Sequence, residues 1–525
     1  MGYDGPAVTS AEAAQYRAAG WWSDTTLSEC VRRNATNSPD KPAYVDFSLD
    51  QPNRQLTWSE FDHAATNLAT QLQRHRVTPG DRVAVWHKDN SALHVLLVAI
   101  ERCGAAAVGL GARAGVREAT QILQTARPSL LVTDAERRES ATQTAVDAVT
   151  LGDELTIDTR RPDARSVSPL GPDDVFLINS TSGTTGVPKC VVHTQNRWHY
   201  FHQKALANGK LSPDDVFAAV LPMPFGFGIW TAHTTPIYLG ATTIRFERFD
   251  PASTCAAIER HRATVLCCVS TQLMMLLANP AFRDHDLTSL RLVFTGGEPL
   301  PYTQAAQFED LTGAKILQFY GSNETGLLSA TALTDSTDRR LRTAGRVVPE
   351  MQVRLFDGDR DVTECGRGQP VCRGPATSLG YLNGTDHDKL FTSDGWMRMG
   401  DICELDADGY LTLTGRTSDF ILRGGKNISA VQVEEVVATH PAVAVAAAVP
   451  MPDALFGERV CAYVELKDGD TLDLPMLTEH LLRQGVSKEL WPERLEVLDT
   501  LPRSSGGKIA KGRLRDEIRT TLERS

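Results

Sequence analysis

Between residues 56 and 110 the chain switches repeatedly between two hydrophobic periods, and this alternation restricts its fold more than any other feature. Over 56–72, Phe61, Ala64, Ala65, Leu68, Ala69 and Leu72 recur at helical spacing. A turn at Pro79-Gly80-Asp81 leads into a predicted strand at 82–86, a helix over 92–103 and a strand over 105–110. Strand, helix, strand with short connections predicts an α/β fold with a mostly parallel sheet covered by helices. The pattern returns at 216–220, 264–269, 290–294 and 315–319.

After Tyr381 the texture changes. Residues 401–415 alternate polar and apolar around Asp406-Ala407-Asp408-Gly409, which predicts a β-hairpin. The short polar, Gly-rich stretch 416–425 is expected to be a hinge or linker. Beyond it, predicted helices near 431–439, 474–484 and after Lys508, with strands at 442–449, 459–466 and 495–498, make a small α+β unit.

Four segments carry chemistry. The first, Ser180-Thr181-Ser182-Gly183-Thr184-Thr185-Gly186-Val187-Pro188-Lys189, follows an apolar strand over 175–179. Its glycines allow close backbone approach to an anion, its hydroxyls add donors, and Lys189 adds a point charge for phosphate. The spacing is not that of a Walker A loop. Pro188 before the lysine and Cys190 after it make a phosphate-capping helix unnatural there. The second, Gln318-Phe319-Tyr320-Gly321-Ser322-Asn323-Glu324-Thr325-Gly326, also follows a strand, at the sheet edge where α/β ligands bind. Tyr320 is suited to stack on a base and Glu324 to hold Mg²⁺ with phosphate oxygens. The bland alternative is a helix start capped by Ser322 or Asn323. The third is Met399-Gly400-Asp401 with Gly415-Arg416, an acid for ribose hydroxyls and a base for ribose or phosphate. The fourth is Arg503-Ser504-Ser505-Gly506-Gly507-Lys508, a lysine on a Gly-rich loop, suited to a charge that moves into a site.

In this order and at these separations, the segments resemble the adenylate-forming superfamily: acyl-CoA synthetases, adenylation domains of peptide synthetases, and firefly luciferase. The resemblance extends from about Leu27 to Leu514. Gly296-Gly297-Glu298-Pro299-Leu300, Gly374-Pro375 with Gly380-Tyr381, and Gly424-Gly425-Lys426-Asn427-Ile428 match too, and Gly20-Trp21-Trp22 looks like the aryl-acid and alicyclic-acid ligases.

The resemblance implies a large, multi-lobed N-terminal domain (1–415) of mostly parallel sheets with a β-rich lobe. A small mobile α+β lid (416–525) follows a hinge near Arg416–Ser418. It implies ATP, Mg²⁺ and CoA as ligands. The 181–189 loop, with Thr181, Ser182, Gly183, Thr184, Thr185, Gly186 and Lys189, would cradle the β- and γ-phosphates, Thr184 taking part in catalysis. Tyr320 would sandwich adenine against Gly297, Glu298 and Pro299, with Gln318, Phe319, Gly321, Ser322, Asn323 and Leu413 completing the nucleotide site. Asp401 and Arg416 would fix the ribose and Glu324 the metal. Lys508 would bridge the substrate carboxylate and the α-phosphate. Phe225, Gly226, Phe227, Glu298 and Gly321 would line the acid pocket, and the Gly424-Gly425-Lys426 loop would admit a thiol. Four positions depart from the pattern: Cys190 for a glycine, Ser418 at the hinge, Phe225 where many members have histidine, and Glu298 where many have a small residue. Glu298 suits either an amino or hydroxyl group on the substrate or plain solvent.

The expected reaction is carboxylic acid plus ATP to acyl-AMP and pyrophosphate, then a thioester with CoA. An aromatic or alicyclic acid is favoured by the Phe225–Trp230 run, which is suited either to a flat pocket or to plain packing. A medium-chain fatty acid is the other option. Three rivals stand beside it. The acceptor is a carrier protein's pantetheine, on a separate chain since none follows Lys508. Or nitrite is activated to form a diazo group on an aminoaryl acid. Or the chain is a non-catalytic nucleotide-binding module, which the joint presence of Lys189, Glu324, Asp401, Arg416 and Lys508 disfavours. His193 and His199 are read as structural or pocket-lining.

Composition excludes several other classes. A net charge of −11 argues against nucleic-acid binding, which depends on phosphate neutralisation by Lys and Arg. The 10 cysteines form no C-x-x-C pair, so zinc and redox motifs are unsupported and a reducing cytoplasm is expected. The longest apolar stretches, such as 442–449, are too short to span a bilayer. No signal pattern opens the chain, and a monomer or homodimer is expected.

Overall fold

A computed structural model describes residues 8–50, 52–162, 169–181, 189–298, 300–382, 387–416, 420–423, 426–453, 456–504 and 508–524. The opening helix–strand alternation forms as the pattern predicts. Helix Trp58–Arg74 starts on a capping box between Thr57 and Glu60 and buries Phe61, Ala64, Ala65, Leu68, Ala69 and Leu72. The strands Arg82–Trp86 and Ala106–Leu110 pair in parallel, with helix Ser91–Arg102 between them. A right-handed crossover of this kind puts the helix on the sheet face.

Two sheets build the larger part of the molecule. One has six strands, in the order Ala148–Thr150, Leu130–Thr133, Arg82–Trp86, Ala106–Leu110, Val175–Thr181, Lys189–Thr194. All of its pairs are parallel except the last. The other has nine strands. Its middle runs parallel through Lys315–Ser322, Leu292–Thr295, Val265–Cys267, Val216–Ala219, Thr242–Arg245 and Pro42–Asp46. Antiparallel pairs close both ends, Gly326–Ala330 with Arg346–Val347 on one side and Arg54–Thr57 on the other. A third sheet, of antiparallel strands including Gln352–Asp357, Arg367–Arg373, Asp401–Leu405 and Leu411–Arg416, is the β-rich lobe. Its last two strands are the predicted hairpin.

The C-terminal unit is a sheet with two dressed faces. Along Gly457–Leu466, Val460, Ala462 and Val464 face Ile421, Val433, Val437, Leu477 and Leu481, while Cys461 and Tyr463 face Leu501, Leu514 and Ile518. This is the two-residue period of a strand buried on both sides. One expectation needs correction. Residues 416–425 were expected to form only a linker, yet Phe420–Arg423 is a strand paired with Lys426–Ser429, and Ile421 is fully buried in the C-terminal core. Its apolar centre outweighs the glycines that follow. The hinge residue Ser418 lies outside the described residues, as do Gly424 and Gly425.

All ten cysteines are free, and Cys365 alone is exposed. Among the described residues no helix is long and apolar enough to cross a membrane.

Candidate active site

The strand Val175–Thr181 and the strand Lys189–Thr194 are antiparallel neighbours, with Thr181 directly opposite Lys189. The strands that flank the phosphate-loop segment therefore pair with each other, and Lys189 opens a strand rather than a helix. Ser182, Gly183, Thr184, Thr185, Gly186, Val187 and Pro188 lie outside the described residues, as does the side chain of Thr181. Cys190 is buried among Ile178, Val192 and Leu382, and burial pushes its thiol up to about 12. The residue that replaces the family's glycine thus serves as packing.

Lys189 is half-buried, with Nζ 4.9 Å from the centroid of the Tyr381 ring. Cation and aromatic face attract at this distance. The Tyr381 hydroxyl in turn donates to Glu324 Oε1 at 3.0 Å. Tyr381 owes its place to the strand beside Lys189, through a bridge to Val191 and a 2.9 Å bond from Leu382 N to Cys190 O. One tyrosine thereby joins the lysine of the first segment to the carboxylate of the second.

Glu324 does not start a helix. It sits in the turn between Lys315–Ser322 and Gly326–Ala330, which pair as antiparallel strands. Ser322 and Thr325 lock the turn: Ser322 N donates to Thr325 Oγ1, and Thr325 N to Ser322 Oγ, each at 3.0 Å. Glu324 N donates to Ser322 Oγ at 3.2 Å, and Ser378 N donates to Glu324 O at 2.8 Å. Side-chain oxygens bonded to nearby backbone N–H groups favour turns over helices.

The buried Tyr320 hydroxyl donates to Asp401 Oδ2 at 2.9 Å, and burial followed by the Asp401 charge raises its pKa well above the ordinary tyrosine value. Asp401 stands directly across the hairpin from Arg416, whose side chain lies outside the described set. Leu413, on the same strand, is half-buried against the core. Gln318 and Phe319 face packing instead: the Gln318 amide donates to the carbonyls of Arg340 and Thr343 at 2.8 Å, and the Phe319 ring lies 4.7 Å from Trp230.

The C-terminal unit reaches this edge. A Cβ built on Gly297, whose φ is +77°, would lie 2.9 Å from Lys508 Nζ and 3.2 Å from its Cε. The positive φ is what favours glycine there, since a lysine tip could shift to admit a Cβ. Lys508 is exposed on a tight loop, closed by Ser504 N donating to Lys508 O at 2.7 Å. Nearby, Gln304 Nε2 donates to Ala438 O at 3.0 Å across the two parts of the chain. Pro299 lies outside the described residues. Glu298 is partly exposed, and its Oε2 accepts from Thr271 N at 3.1 Å, Thr271 Oγ1 at 2.8 Å and Ser270 Oγ at 3.3 Å. These donors open the helix Ser270–Ala278, where a carboxylate is electrostatically favoured.

Three of the acid-pocket candidates, Phe225, Gly226 and Phe227, lie together on one short segment. Phe225 and Phe227 are half-buried at the start of helix Gly226–Ile229, which widens into a π turn over Trp230–Thr234. Phe227 stacks on Trp230 at 5.2 Å, and Trp230 lies parallel to Phe294 at 5.7 Å. A Cβ on Gly226 would lie 2.9 Å from Asn323 Oδ1 and 3.7 Å from Trp198 Cη2, whereas one on Gly228 would lie 2.2 Å from the Pro222 carbonyl oxygen. The two segments that hold Phe225 and Glu324 are therefore in direct contact. Sequence reasoning did not single out Tyr381, Asn179 or Arg197 for this site. Only the Gly380-Tyr381 pair offered a signal, as a family match without a role.

Two family models match the chain: AMP-binding enzyme over residues 31–382, and AMP-binding enzyme C-terminal domain over residues 432–508. A medium-chain fatty-acid–CoA ligase of Escherichia coli is 30% identical over 97% of this chain and 93% of its own length. An indoleacetate–CoA ligase of Aromatoleum aromaticum is 32% identical over 95% of this chain and 98% of its own. Among solved structures, an anthranilate CoA ligase in complex with anthranoyl-AMP shares the fold, with a TM-score of 0.86, 23% identity, and coverage of 96% of this chain and 98% of that one. With a family model spanning well over half its length and CoA ligases aligned nearly end to end, the chain belongs to the AMP-binding enzymes, in their acyl- and aryl-CoA ligase branch.

Proposed function

We propose that this ATP-dependent ligase activates an aromatic or alicyclic acid and passes the acyl group to the thiol of CoA. The observation that carries the adenylation step is the approach of Lys508 to Gly297: a cation from residues 416–525 lies against the segment proposed to face the nucleotide. In the reaction a substrate carboxylate oxygen bonds the α-phosphorus while the bond to pyrophosphate breaks. Two anions must meet, so positive charge is needed where negative charge accumulates. Lys508 supplies it between carboxylate and α-phosphate. The 181–189 loop and Lys189 take the β- and γ-phosphates. Tyr320 and the segment at Gly297 and Glu298 hold adenine, and Asp401 with Arg416 holds the ribose.

Mg²⁺ suits Glu324. Its carboxylate has one oxygen anchored by Tyr381, and a hard cation takes one or two carboxylates together with phosphate oxygens. When bound, the ion neutralises charge on the phosphates. For the second half-reaction, residues 416–525 act as a lid that swings about the Arg416–Ser418 hinge, withdraws Lys508 and brings the Gly424-Gly425-Lys426 loop to the site. The flat walls of Phe225, Phe227 and Trp230 support a ring-bearing acid. The two aligned relatives act on a fatty acid and on indoleacetate, so neither name fixes the substrate.

A panel of aromatic, alicyclic and fatty acids, assayed for AMP release with and without CoA, tests both halves. Release that needs CoA and a ring-bearing acid is the expected result. Preference for straight-chain acids ends the substrate reading, and equal release without CoA ends the acceptor reading.

A further inference from the structure

Arg197, in the helix Gln195–Gly209, is 1% exposed, and its guanidinium lies 5.1 Å from the Trp198 ring. Nη1 donates to His193 Nδ1 and, at 2.7 Å, to the carbonyl oxygen of Asn323; Nη2 lies 3.5 Å from the carbonyl oxygen of Ser322. A guanidinium has no acceptor, so His193 Nδ1 must accept. Burial, then the Arg197 charge, holds His193 well below the ordinary histidine value, so the ring is neutral. Its single proton is therefore on Nε2, which donates to Asn179 Oδ1 at 2.7 Å. That fixes the Asn179 amide. Its Nδ2 donates to the Pro224 carbonyl at 3.0 Å and to Asn323 Oδ1 at 3.1 Å, and Asn323 Nδ2 donates back to Asn179 Oδ1 at 2.6 Å. The Pro224 carbonyl only accepts, so both ends of the chain of bonds demand the same orientation.

The two ends lie on different parts of the site. One holds the backbone of Ser322 and Asn323, in the turn that carries Glu324. The other holds the carbonyl just before Phe225. We propose that Arg197 is a positioning residue which, through His193 and Asn179, sets the Glu324 turn and the Phe225–Phe227 segment in one register, so that acid pocket and metal-holding carboxylate are aligned together. The inference rests on the roles given above to Glu324 and to Phe225–Phe227. The charge has a second effect: burial draws the guanidinium down to about 9, and Glu324 is the first of the charges that oppose this. Arg197 is thus cationic at neutral pH. A buried arginine that merely packed a helix would need no directed chain of four polar groups.

The test uses the full-length protein, with the best acid of the panel, in pyrophosphate exchange. Arg197→Met is expected to raise the KM of both acid and MgATP and to lower kcat/KM roughly 10–100-fold, as loss of a partner supporting a metal-bound carboxylate does. Asn179→Ala should raise the KM of the acid more than that of MgATP. The double variant should be no worse for the acid than the worse single one, because residues acting in one chain are not additive. Arg197→Lys should recover the MgATP KM better than the acid KM, since it restores charge but not the fork. Unchanged KM values with only a lower melting temperature, or additive losses, would overturn the relay. Independently of activity, nitrogen NMR of His193, assigned against His193→Gln, should show a bare Nδ1 and a protonated Nε2. A protonated Nδ1 sinks the relay even if no acid is turned over; failure of every acid in wild type with the expected tautomer would instead count against the ligase reading alone.

Discussion

Glu324 and Asp401, in the N-terminal body, each have a tyrosine hydroxyl seated on the carboxylate, whereas Lys508, in the C-terminal unit, stands exposed on a loop before the last helix. The carboxylates are held by residues from other strands: Tyr381 comes from beside the Lys189 strand, and Tyr320 from the nine-stranded sheet. Groups that must keep one geometry are built into packed sheets, where moving them would break neighbouring bonds. The lysine comes from the other unit, and its tip lies against Gly297 of the body. That division suits a reaction in which the cradle stays still and a charge arrives.

The largest expected difference between the two parts is their response to acid. His94, His202 and His233, all in the N-terminal body, are held below the ordinary value by burial, His202 and His233 to about 3. An unfolded imidazole takes its proton near pH 6.5, while these stay neutral when folded, so the unfolded state binds more protons below that pH. Their contribution to stability is present above about 6.5 and is lost as pH falls below it; for His202 and His233 the loss runs toward pH 3, at about 1.4 kcal/mol per pH unit for each. His440 and His480 of the C-terminal unit are far less buried. Calorimetry between pH 7 and 5 should therefore show the N-terminal transition fall first; simultaneous loss would erase the contrast.

Lys508→Ala should come next, slowing pyrophosphate exchange about 10²–10³-fold, as loss of one preorganised donor to developing charge does. Its rate of thioester formation from supplied acyl-adenylate should stay near that of wild type. Equal loss in both half-reactions would show that the lysine is part of the fixed cradle after all. Glu324→Gln should cost about 10²-fold, readable as a raised Mg²⁺ requirement. Tyr381→Phe removes the bond to that carboxylate and should cost about tenfold in the same titration, the value of a hydrogen bond to a charged group. The smallest change is Tyr320→Phe, about 1 kcal/mol of stability from the lost bond to Asp401.

Much of this was legible in the residues. Strands such as Arg82–Trp86 and helices such as Trp58–Arg74 follow directly from hydrophobic period, because burial on one face leaves a regular trace. The motif segments announced themselves by composition. What stayed hidden depends on partners distant in the chain. Nothing near Glu324 points to Tyr381, 57 residues away, and nothing near Arg197 points to the carbonyl of Asn323, 126 away. The turn at Glu324 resembled a helix start because Ser322 and Asn323 serve both equally well. Glu298 drew notice as a departure, but its helix-start partners come from a segment with no local signal. The Phe225–Trp230 run was offered as pocket or packing: Trp230, 1% exposed, is packing, while Phe225 and Phe227 are half-buried.

Two glycines of that run are confined in different ways. Gly226 is crowded by the end of an amide side chain, Gly228 by a peptide oxygen. An amide can be shortened by a second substitution, but a peptide oxygen is present whatever the sequence. For anyone redesigning the enzyme toward another acid, positions 226 and 323 therefore form a dial that must be turned as a pair, while 228 is part of the housing.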